Sequence, residues 1–507
     1  MKSSHYLVLA TLLFFSWSSL AQEADYGEIN SYISKSVAQH KIPGLAIGIV
    51  HDGEIVFQQG YGVCKAGETK RVNTTSMFGI ASLSKAFTAA ALGQLVDQGK
   101  IKWNDKVTTY LPDWKLYDQT VTDMMTIEDL LSHRSGLKTF DGDLLWYGTN
   151  YSRDEIITRI RHLPLSYEYR AGFGYQNIMY ITAGQVIEKV SGMSWDDYVR
   201  QNIFEPLGMN KTNSSISNYK ETYSIAYPHL KGQPQELIDY NNSGATAALN
   251  SNVVDMEKWM LFWLNNGIHN GDTLLQPATI RKIWSVQNPL PVSGWDEKNG
   301  THFKGYGMGW FLFDYQGLKI VHHGGGLPGY ITKVALIPEK NVGIVILTND
   351  MSAVCTALMY KLIDIYSGAE TNRDWSKEFA GYAKRQEAHQ AKQDSTVDAN
   401  RKTDMPPSLE KMAYTGNYVD SYYGPAVITL EGKGKKAKLK LELTPAKELF
   451  TGMMEHWEGD TWVFKFNDAF LPRGFVTFQV ENGTCKGFTI DLPNPDFHFS
   501  NLNFSKQ

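Results

Sequence analysis

The chain has 507 residues, which is too many for one ordinary domain and enough for a large α/β unit with a smaller domain beside it. Its composition, 42% hydrophobic and 20% charged, is close to that of globular proteins and excludes extensive disorder. The formal net charge is −4, with acidic and basic residues mixed. This excludes a general nucleic-acid-binding surface, because such a surface is basic.

The first 21 residues read as a signal peptide rather than as part of the fold. Lys2 supplies the positive charge, residues 6–15 form an apolar run too short to span a bilayer, and small residues precede the cleavage position at Ala21. Because the new N-terminus, Gln22, is not a cysteine, we expect no lipid anchor there. No later stretch is long and apolar enough to cross a membrane, so we expect an exported, soluble protein, periplasmic or secreted.

After the signal, hydrophobic periodicity predicts helices and a hairpin. Residues 25–40 show the amphipathic pattern of a helix. Residues 45–50 and 54–57 are apolar and flank an Asp-Gly turn, which predicts a β-hairpin. Residues 81–98 predict a strongly apolar helix, and Thr126, three residues before an aspartate, predicts a capping box.

Up to about residue 300 the chain is mostly helical and loop-like, and strand patterns then return. Strands near both ends with helices between them predict one sheet formed from the two ends of a domain, residues 22–370, with a helical region inserted. The later strands are predicted at 309–313, 319–322, 331–337 and 342–347, and a closing helix at 351–366.

The rest of the chain divides into a linker and a small β domain. Residues 371–410 are polar and end in two prolines, which predicts a helical connector followed by a linker. Residues 411–507 alternate with a period of two between short turns, which predicts a small antiparallel barrel or sandwich. Its strands are predicted at 426–430, 437–443, 461–466, 474–480 and 487–490.

Only three cysteines occur, Cys64, Cys355 and Cys485, too few for a disulfide framework in a chain of this length. We expect them to act as small buried hydrophobic residues, although a single bridge between two of them is also compatible with the sequence. Neither Cys-x-x-Cys nor His-Glu-x-x-His occurs, so nothing predicts a dedicated metal site.

The stretch from Gly79 to Thr88 can supply the nucleophile and the base that acyl transfer requires. Ser82 and Lys85 are three residues apart at the start of an apolar helix, so their side chains share one face. The helix N-terminus favours an alkoxide at Ser82. Apolar neighbours should desolvate Lys85, and a neutral amine can accept the serine proton.

Ser-x-x-Lys by itself is a weak signal, because it begins at four serines of this chain: Ser82, Ser135, Ser217 and Ser408. The alternative interpretation of each match is a serine cap followed by a surface lysine. Ser217 lies in a polar loop and Ser408 in the linker, whereas Ser82 alone opens a long apolar helix. Ser82 is therefore the predicted nucleophile.

Four motifs follow one another in a characteristic order, at residues 78–85, 126–137, 172–180 and 322–329. In this order they resemble the serine β-lactamase and penicillin-binding-protein superfamily, especially its class C β-lactamase-like esterases and D-aminopeptidase-like hydrolases. The resemblance implies a β-lactamase-like α/β (α+β) fold, an antiparallel sheet flanked by helices. The C-terminal β domain resembles the lipocalin-like barrels appended to some peptidases of this branch.

In that family the tyrosine of a Tyr-x-Asn motif shares the proton transfer with the lysine, and the asparagine holds the amide of the substrate. The resemblance therefore implies that Tyr175 is catalytic and that Asn177 binds substrate. A bare Tyr-x-Asn match is weak, since Tyr240 opens another one. The alternative for Tyr175 is a tyrosine that packs at the start of a helix.

His323-Gly-Gly325 resembles the third motif of the family, which in the family lies on an edge strand beside the nucleophile. The resemblance implies that His323 and Gly325 bind substrate and that the backbone N–H groups of Ser82 and Gly326 form the oxyanion hole. Glycine suits such a close approach of the backbone to a ligand. Residues 324–329 also match a dinucleotide-binding pattern, but that pattern opens a helix, and here a proline and a strand follow.

His323 departs from the β-lactamases proper, most of which carry lysine at this position. A histidine is largely neutral at neutral pH and anchors a substrate carboxylate less firmly, so we do not expect efficient β-lactam hydrolysis. The departure favours esterase or peptidase activity. No Gly-x-Ser-x-Gly elbow occurs, which counts against an α/β-hydrolase.

Together these observations predict a serine hydrolase that forms an acyl-enzyme on Ser82 without a metal or organic cofactor. Because the appended β domain accompanies peptidases in the family, we expect a short or D-amino-acid-containing peptide as the substrate, with no nucleic-acid partner. A carboxylesterase, a β-lactamase, and a penicillin- or peptide-binding sensor acylated without turnover are the alternatives. Specificity is expected to lie in the loops at 138–170 and 285–305.

Overall fold

The computed structural model describes residues 24–369 and 373–507. The predicted signal peptide, residues 1–21, lies outside the described residues. Within them, no helix has both the length and the apolar character that a membrane span requires. All three cysteines are buried and unbridged, which confirms the expectation that they behave as small hydrophobic residues.

The first domain is built on one eight-stranded antiparallel sheet, as the resemblance implied. The strands lie in the order β2-β1-β8-β7-β6-β5-β4-β3, so that β1, from the start of the domain, pairs with β8, from its end. They are β1 (Gly44–His51), β2 (Glu54–Gly62), β3 (Asn288–Leu290), β4 (Lys304–Tyr306), β5 (Phe311–Tyr315), β6 (Leu318–Leu327), β7 (Tyr330–Ile337) and β8 (Val342–Thr348).

Most strand limits agree with the hydrophobic pattern to within a few residues, and β5 shows why one differs. The pattern predicted a strand from residue 309, but Gly309 has a φ of +77°, which a strand does not allow. The strand therefore begins at Phe311. Strand β6 continues to Leu327, well beyond its predicted end, because Gly324, Gly325 and Gly326 remain paired with β7.

Helices cover both faces of the sheet. On one face, α1 (Tyr26–Gln39) and α5 (Val354–Ser367) pack on β1, β7 and β8. On the other lies the predicted helical insertion, which contains α2 (Ser84–Asp97), α3 (Asn177–Ser191) and α4 (Val253–Leu264). Shorter helices in the insertion span Val107–Tyr110, Gln119–Met124, Ile127–Leu131, Arg153–Arg159, Trp195–Val199, Pro277–Ile283 and Gly294–Lys298.

The predicted capping box at Thr126 is present, because the Thr126 hydroxyl accepts from the Asp129 N–H and the Asp129 carboxylate accepts from the Thr126 N–H. Asp129 also accepts from Arg134 and Arg170, at 2.5 Å and 2.7 Å. Burial opposes the charge of Asp129, but the bonds from Arg170, Thr126 and Tyr169 outweigh it and lower its pKa to about 2. This ion cluster fixes the loop that leads into the site.

A long helix, α6 (Trp375–Ala399), leaves the first domain and leads to the second. Only its first turn is buried, where the Trp375 indole N–H donates to Asp364 at 2.6 Å. The second domain is a closed antiparallel barrel, which confirms the predicted barrel. Its strands are β9 (Gly416–Asp420), β10 (Gly424–Glu431), β11 (Lys438–Leu443), β12 (Thr451–Glu458), β13 (Thr461–Phe464), β14 (Gly474–Glu481), β15 (Thr484–Asp491) and β16 (Asn503–Lys506).

The barrel packs directly against the first domain near residues 141–151. The hydroxyl of Tyr147 donates to Asp468 at 2.8 Å, and that of Tyr151 donates to the Tyr423 carbonyl at 2.6 Å. The Tyr147 ring also lies 4.3 Å from the ring of Phe497. Buried apolar residues of both domains form one continuous core, so the barrel is part of the folded unit.

Glu257 is a buried carboxyl group without a partner. It lies in α4 against β1, where the absence of a side chain at Gly48 leaves room for it. Neither of its oxygens has a hydrogen-bond partner within the two described segments. Burial raises the pKa of Glu257 to about 8, so the group is mostly protonated at neutral pH.

This carboxyl group makes stability depend on pH. Its folded-state pKa of about 8 lies above its ordinary value of 4.5, so its contribution is complete below pH 4.5 and is lost as the pH rises through 8. We expect the melting temperature of the wild type to fall between pH 5 and pH 8. Glu257→Met, which keeps the volume, should flatten this fall and gain on the order of 2–4 kcal/mol at pH 8.

The measurement is thermal unfolding at both pH values, with Glu221→Met, at an exposed position, as the matched control. The control should keep the slope of the wild type. Equal slopes in the wild type and in Glu257→Met would contradict the assignment.

Candidate active site

The predicted nucleophile, Ser82, lies in a short 3-10 turn, Ala81–Leu83, that runs into α2. Ala81 adopts a left-handed φ of +51°, which is unfavourable for a residue with a Cβ and is held by its surroundings. The hydroxyl of Thr332 on β7 donates to the Ile80 carbonyl at 3.0 Å. Gly325 on β6 leaves no room for a Cβ against Ile80 and Thr332, so sheet and turn are in close contact.

Lys85 lies one turn further along, with 0% of its surface exposed. Its Nζ is 3.0 Å from the Ser82 Oγ, 2.6 Å from the Asn177 Oδ1 and 3.1 Å from the Thr246 carbonyl. Burial lowers the pKa of Lys85 well below its ordinary value, although Asp143 opposes this shift. The favoured form is a neutral amine that donates to Asn177 and Thr246 and directs its lone pair at the Ser82 hydroxyl.

Asn177, the first residue of α3, connects this lysine to a buried acid. Its Oδ1 accepts from Lys85 and from the Thr246 hydroxyl at 2.8 Å, and its Nδ2 donates to Asp143 at 2.6 Å. Burial raises the pKa of Asp143 to about 8, and the nearby Asp496 of the barrel adds to the shift. Hydrogen bonds at both ends of the Asn177 amide therefore fix its orientation.

Tyr175 lies over the same lysine, with the Lys85 Nζ 4.7 Å from the centre of its ring. Its own N–H donates to Thr139 at 3.1 Å, and its ring packs 4.3 Å from that of His133. Burial raises the pKa of Tyr175 well above its ordinary value, and its hydrogen bond with Ser82 offsets only part of that rise. Tyr175 is therefore a phenol next to a neutral amine.

His323 is buried beneath the site, and both of its ring nitrogens are engaged within the protein. Its Nδ1 donates to the Gly324 carbonyl at 2.7 Å, and its Nε2 accepts from the Tyr306 hydroxyl at 3.2 Å. Burial and the nearby Lys85 lower its pKa to about 3. His323 therefore contributes a neutral ring rather than a positive charge.

The second half of β6 has one open edge. Strand β5 pairs with residues 318–322 only, whereas β7 pairs with residues 321–327. Strand β6 is thus internal where it begins and becomes an edge strand over Gly324–Leu327. The resemblance implied an edge strand at the third motif, and this is the part of β6 that has an open edge. Gly326 is exposed at that edge. No helix follows these glycines, so the dinucleotide-binding alternative fails.

These residues face a cavity of about 670 Å³. Its walls come from both domains, since Phe470, Asp496 and Phe497 of the barrel face it together with Trp146 and Phe311. The sequence predicted that specificity lies in the loops at 138–170 and 285–305, and residues of both loops line the cavity. Asp143, the Thr246 carbonyl and the cavity-lining residues of the barrel were not predicted, because no distinctive motif marks them.

Comparison with known proteins agrees with the fold. A family model described as beta-lactamase matches residues 29–364, and a model described as a domain of unknown function, DUF3471, matches residues 400–506. A solved structure, the octameric penicillin-binding protein homologue from Pyrococcus abyssi, superposes with a TM-score of 0.62 at 21% identity. The superposition covers 95% of this chain and 100% of that one, and at this identity it concerns the fold.

Curated relatives include two fungal hydrolases and a staphylococcal protein. Unguisins hydrolase ungD' of Aspergillus campestris is 30% identical over 430 residues, covering 78% of this chain and 76% of that protein. Unguisins hydrolase ungD of Aspergillus violaceofuscus is 27% identical, with coverages of 86% and 82%. Protein flp of Staphylococcus aureus is 26% identical, with coverages of 64% and 62%. The chain belongs to the family of β-lactamase-like and penicillin-binding-protein-like serine hydrolases.

Proposed function

We propose that this protein is an exported serine hydrolase that cleaves short peptides, including those with D-amino acids, through an acyl-enzyme on Ser82. The observation that carries the proposal is the buried amine of Lys85. Two acceptors, on Asn177 and Thr246, take its N–H groups, so its lone pair is left for the Ser82 hydroxyl at 3.0 Å. A base held in this way can take the serine proton during attack.

The first half of the reaction forms an ester. The Ser82 Oγ attacks the substrate carbonyl and its proton passes to Lys85. The N–H groups of Ser82 and Gly326 stabilise the oxyanion. The phenol of Tyr175 then donates its proton to the leaving nitrogen as the carbon–nitrogen bond breaks, and the Lys85 ammonium returns a proton to Tyr175.

The second half restores the enzyme. Water attacks the acyl carbonyl and loses a proton to Lys85, and the Ser82 oxygen leaves and regains that proton from the Lys85 ammonium. No group beyond Ser82, Lys85 and Tyr175 needs to change its protonation state. The neutral amine and the neutral phenol favoured by burial are the forms in which the cycle begins.

The cavity supports a short peptide as the substrate. Its volume of about 670 Å³ lies in the range of small-ligand sites, and the barrel side chains Phe470 and Phe497 line it. Two relatives carry the name unguisins hydrolase, which is consistent with a hydrolase. Because His323 is neutral and bonded internally, β-lactam turnover is disfavoured.

Export is part of the proposal because residues 1–21 have the pattern of a signal peptide.

The first test compares kcat/KM for D-alanyl p-nitroanilide and for a matched p-nitrophenyl ester in the wild type and in Ser82→Ala. Relative to the uncatalysed rates, we expect faster cleavage of the anilide and loss of the acyl-enzyme, seen by mass spectrometry, in the variant. Cleavage of the ester alone would mean an esterase. A burst without steady turnover would mean a sensor, and full activity in Ser82→Ala would refute the mechanism.

The second test concerns the base. Lys85→Met fills nearly the same volume without a basic nitrogen, so kcat/KM should fall by ~10²–10⁴. Lys319→Met is the control, because Lys319 donates to the Trp284 carbonyl away from the cavity. It should retain the activity of the wild type. Comparable losses in both variants, or none in Lys85→Met, would argue against Lys85 as the base.

The third test uses the coupling between Lys85 and Asp143. When Asp143 is ionised, its charge raises the pKa of Lys85, so Asp143→Asn, which cannot ionise, should lower the pKa of Lys85. The ascending limb of kcat/KM against pH, measured with p-nitrophenyl acetate, should move to lower pH by roughly 1 unit. Asp113→Asn, on the surface, should leave the limb in place. A shift to higher pH would contradict this assignment.

A further inference from the structure

One short loop of the first domain, residues 138–143, is bonded to the backbone of Tyr175. The Thr139 hydroxyl accepts from the Tyr175 N–H at 3.1 Å, and the Phe140 N–H donates to the Tyr175 carbonyl at 2.8 Å. The rings of Phe140 and Tyr175 also meet edge to face, with their centres 5.6 Å apart. The position of the Tyr175 phenol therefore depends on where this loop lies.

The same loop is bonded to the two residues that follow Tyr175. The Lys138 carbonyl accepts from the side-chain amide of Gln176, and Asp143 accepts from Asn177 at 2.6 Å. The loop at 138–143 thus contacts every residue of the Tyr-x-Asn motif. Both functional side chains of that motif are placed by one segment of six residues.

The conformation of this loop is unfavourable by itself. Phe140 has a φ of +65°, in the left-handed region that a residue with a Cβ seldom adopts. Gly142 has a φ of +93°, and a Cβ there would lie 2.5 Å from the Cδ1 of Ile178. A backbone of this kind keeps its shape only when contacts with the surrounding structure hold it.

The barrel supplies such contacts through Asp141. This side chain is buried, and its Oδ1 accepts from the Nδ1 of His498 at 2.8 Å and from the Nδ2 of Asn501 at 3.2 Å. Its Oδ2 accepts from the Lys138 N–H at 3.1 Å. Hydrogen bonds to a carboxylate are stronger than those between neutral groups. One buried carboxylate therefore joins the start of the loop firmly to the second domain.

The two donors are themselves fixed to the core of the barrel. His498 and Asn501 lie in the connection between β15 and β16, on either side of Phe499. The ring of Phe499 is buried and packs against those of Phe450 and Phe466, at centre distances of 5.3 Å and 5.6 Å. The contact with Asp141 thus transmits the position of the barrel core to the loop.

We propose that His498 and Asn501 are positioning residues of the active site, which act through Asp141 on the loop that places Tyr175 and Asn177. The barrel therefore takes part in the reaction in addition to lining the cavity. This inference rests on the proposed function for the chemical roles of Tyr175 and Asn177, whereas the contacts themselves do not depend on it.

The first experiment compares two acetate esters that form the same acyl-enzyme. Phenolate is a poorer leaving group than p-nitrophenolate, so phenyl acetate depends more on the proton from Tyr175. His498→Ala should lower kcat/KM for phenyl acetate by ~10–10²-fold and that for p-nitrophenyl acetate by much less. A residue that only stabilised the fold would change both values equally, so equal losses, or no loss, would overturn the proposal.

Two variants serve as references. In His498→Asn the side-chain amide can donate to Asp141 from nearly the same place as the imidazole Nδ1, so most of the activity towards phenyl acetate should return. A loss as large as that in His498→Ala would count against the proposal. His389→Ala, at an exposed position on α6, should leave both values unchanged. If His498→Ala does not fold, Asn501→Ala replaces it, with a smaller loss of the same selectivity.

Hydrogen–deuterium exchange separates this inference from the proposed function, because it requires no turnover. In His498→Ala the amides of residues 138–143 and 174–177 should exchange about 10-fold faster than in the wild type, while those of α2 keep their rates. This result would support the positioning contact even if the wild type cleaves neither ester, which would refute the proposed function alone. Unchanged exchange in both segments would overturn the inference.

Discussion

The site depends on the burial of one amine. Lys85 is removed from water and held between two oxygen acceptors, and this makes the uncharged form the favoured one. Had those acceptors been carboxylates, the ammonium would be stabilised and the lysine would be no base. Instead an amide and a backbone carbonyl hold it, and the nearest acid, Asp143, is itself pushed towards its neutral form.

The rest of the first domain can be understood as support for that arrangement. The amide of Asn177 is fixed from both ends, the Ser82 turn is clamped by Thr332 and Gly325, and the ring of Tyr175 rests on His133. His133 in turn accepts from the Gln176 N–H at 2.9 Å. His133 belongs to the motif at residues 126–137, so this motif helps to place Tyr175. Each catalytic group is held by partners from a different segment of the chain.

The hydrophobic pattern of the sequence predicted many of the strands and helices, because these elements depend on the periodicity and capping preferences of neighbouring residues. The alternating strands, the capping box at Thr126 and the apolar helix after Ser82 all follow from side-chain periodicity and capping preferences. Strand β12, Thr451–Glu458, escaped prediction because its apolar residues Met453 and Met454 are consecutive, so its sequence lacks a clear apolar–polar alternation. The site was predictable only where a motif marks it.

The parts that were missed arise from tertiary contact. The Thr246 carbonyl carries no side-chain signature, and Asp141, Asp143 and Asp496 stand in unremarkable local sequence. Their roles depend on which strands and domains come together. The barrel was predicted as a separate domain of unassigned role, yet its residues line the cavity because Tyr147 and Tyr151 attach it to the first domain.

The left-handed turn at Ala81 bears on how the protein matures. Ser82 lies early in the chain, but the contacts that hold its turn and its base come from residues 177, 246, 325 and 332. A nascent chain that has completed only its first hundred residues has none of them. Its Lys85 is solvated and charged, and the serine is an ordinary alcohol. Reactivity is therefore acquired only after residues 177 to 332 have been made and the two ends of the domain join in one sheet.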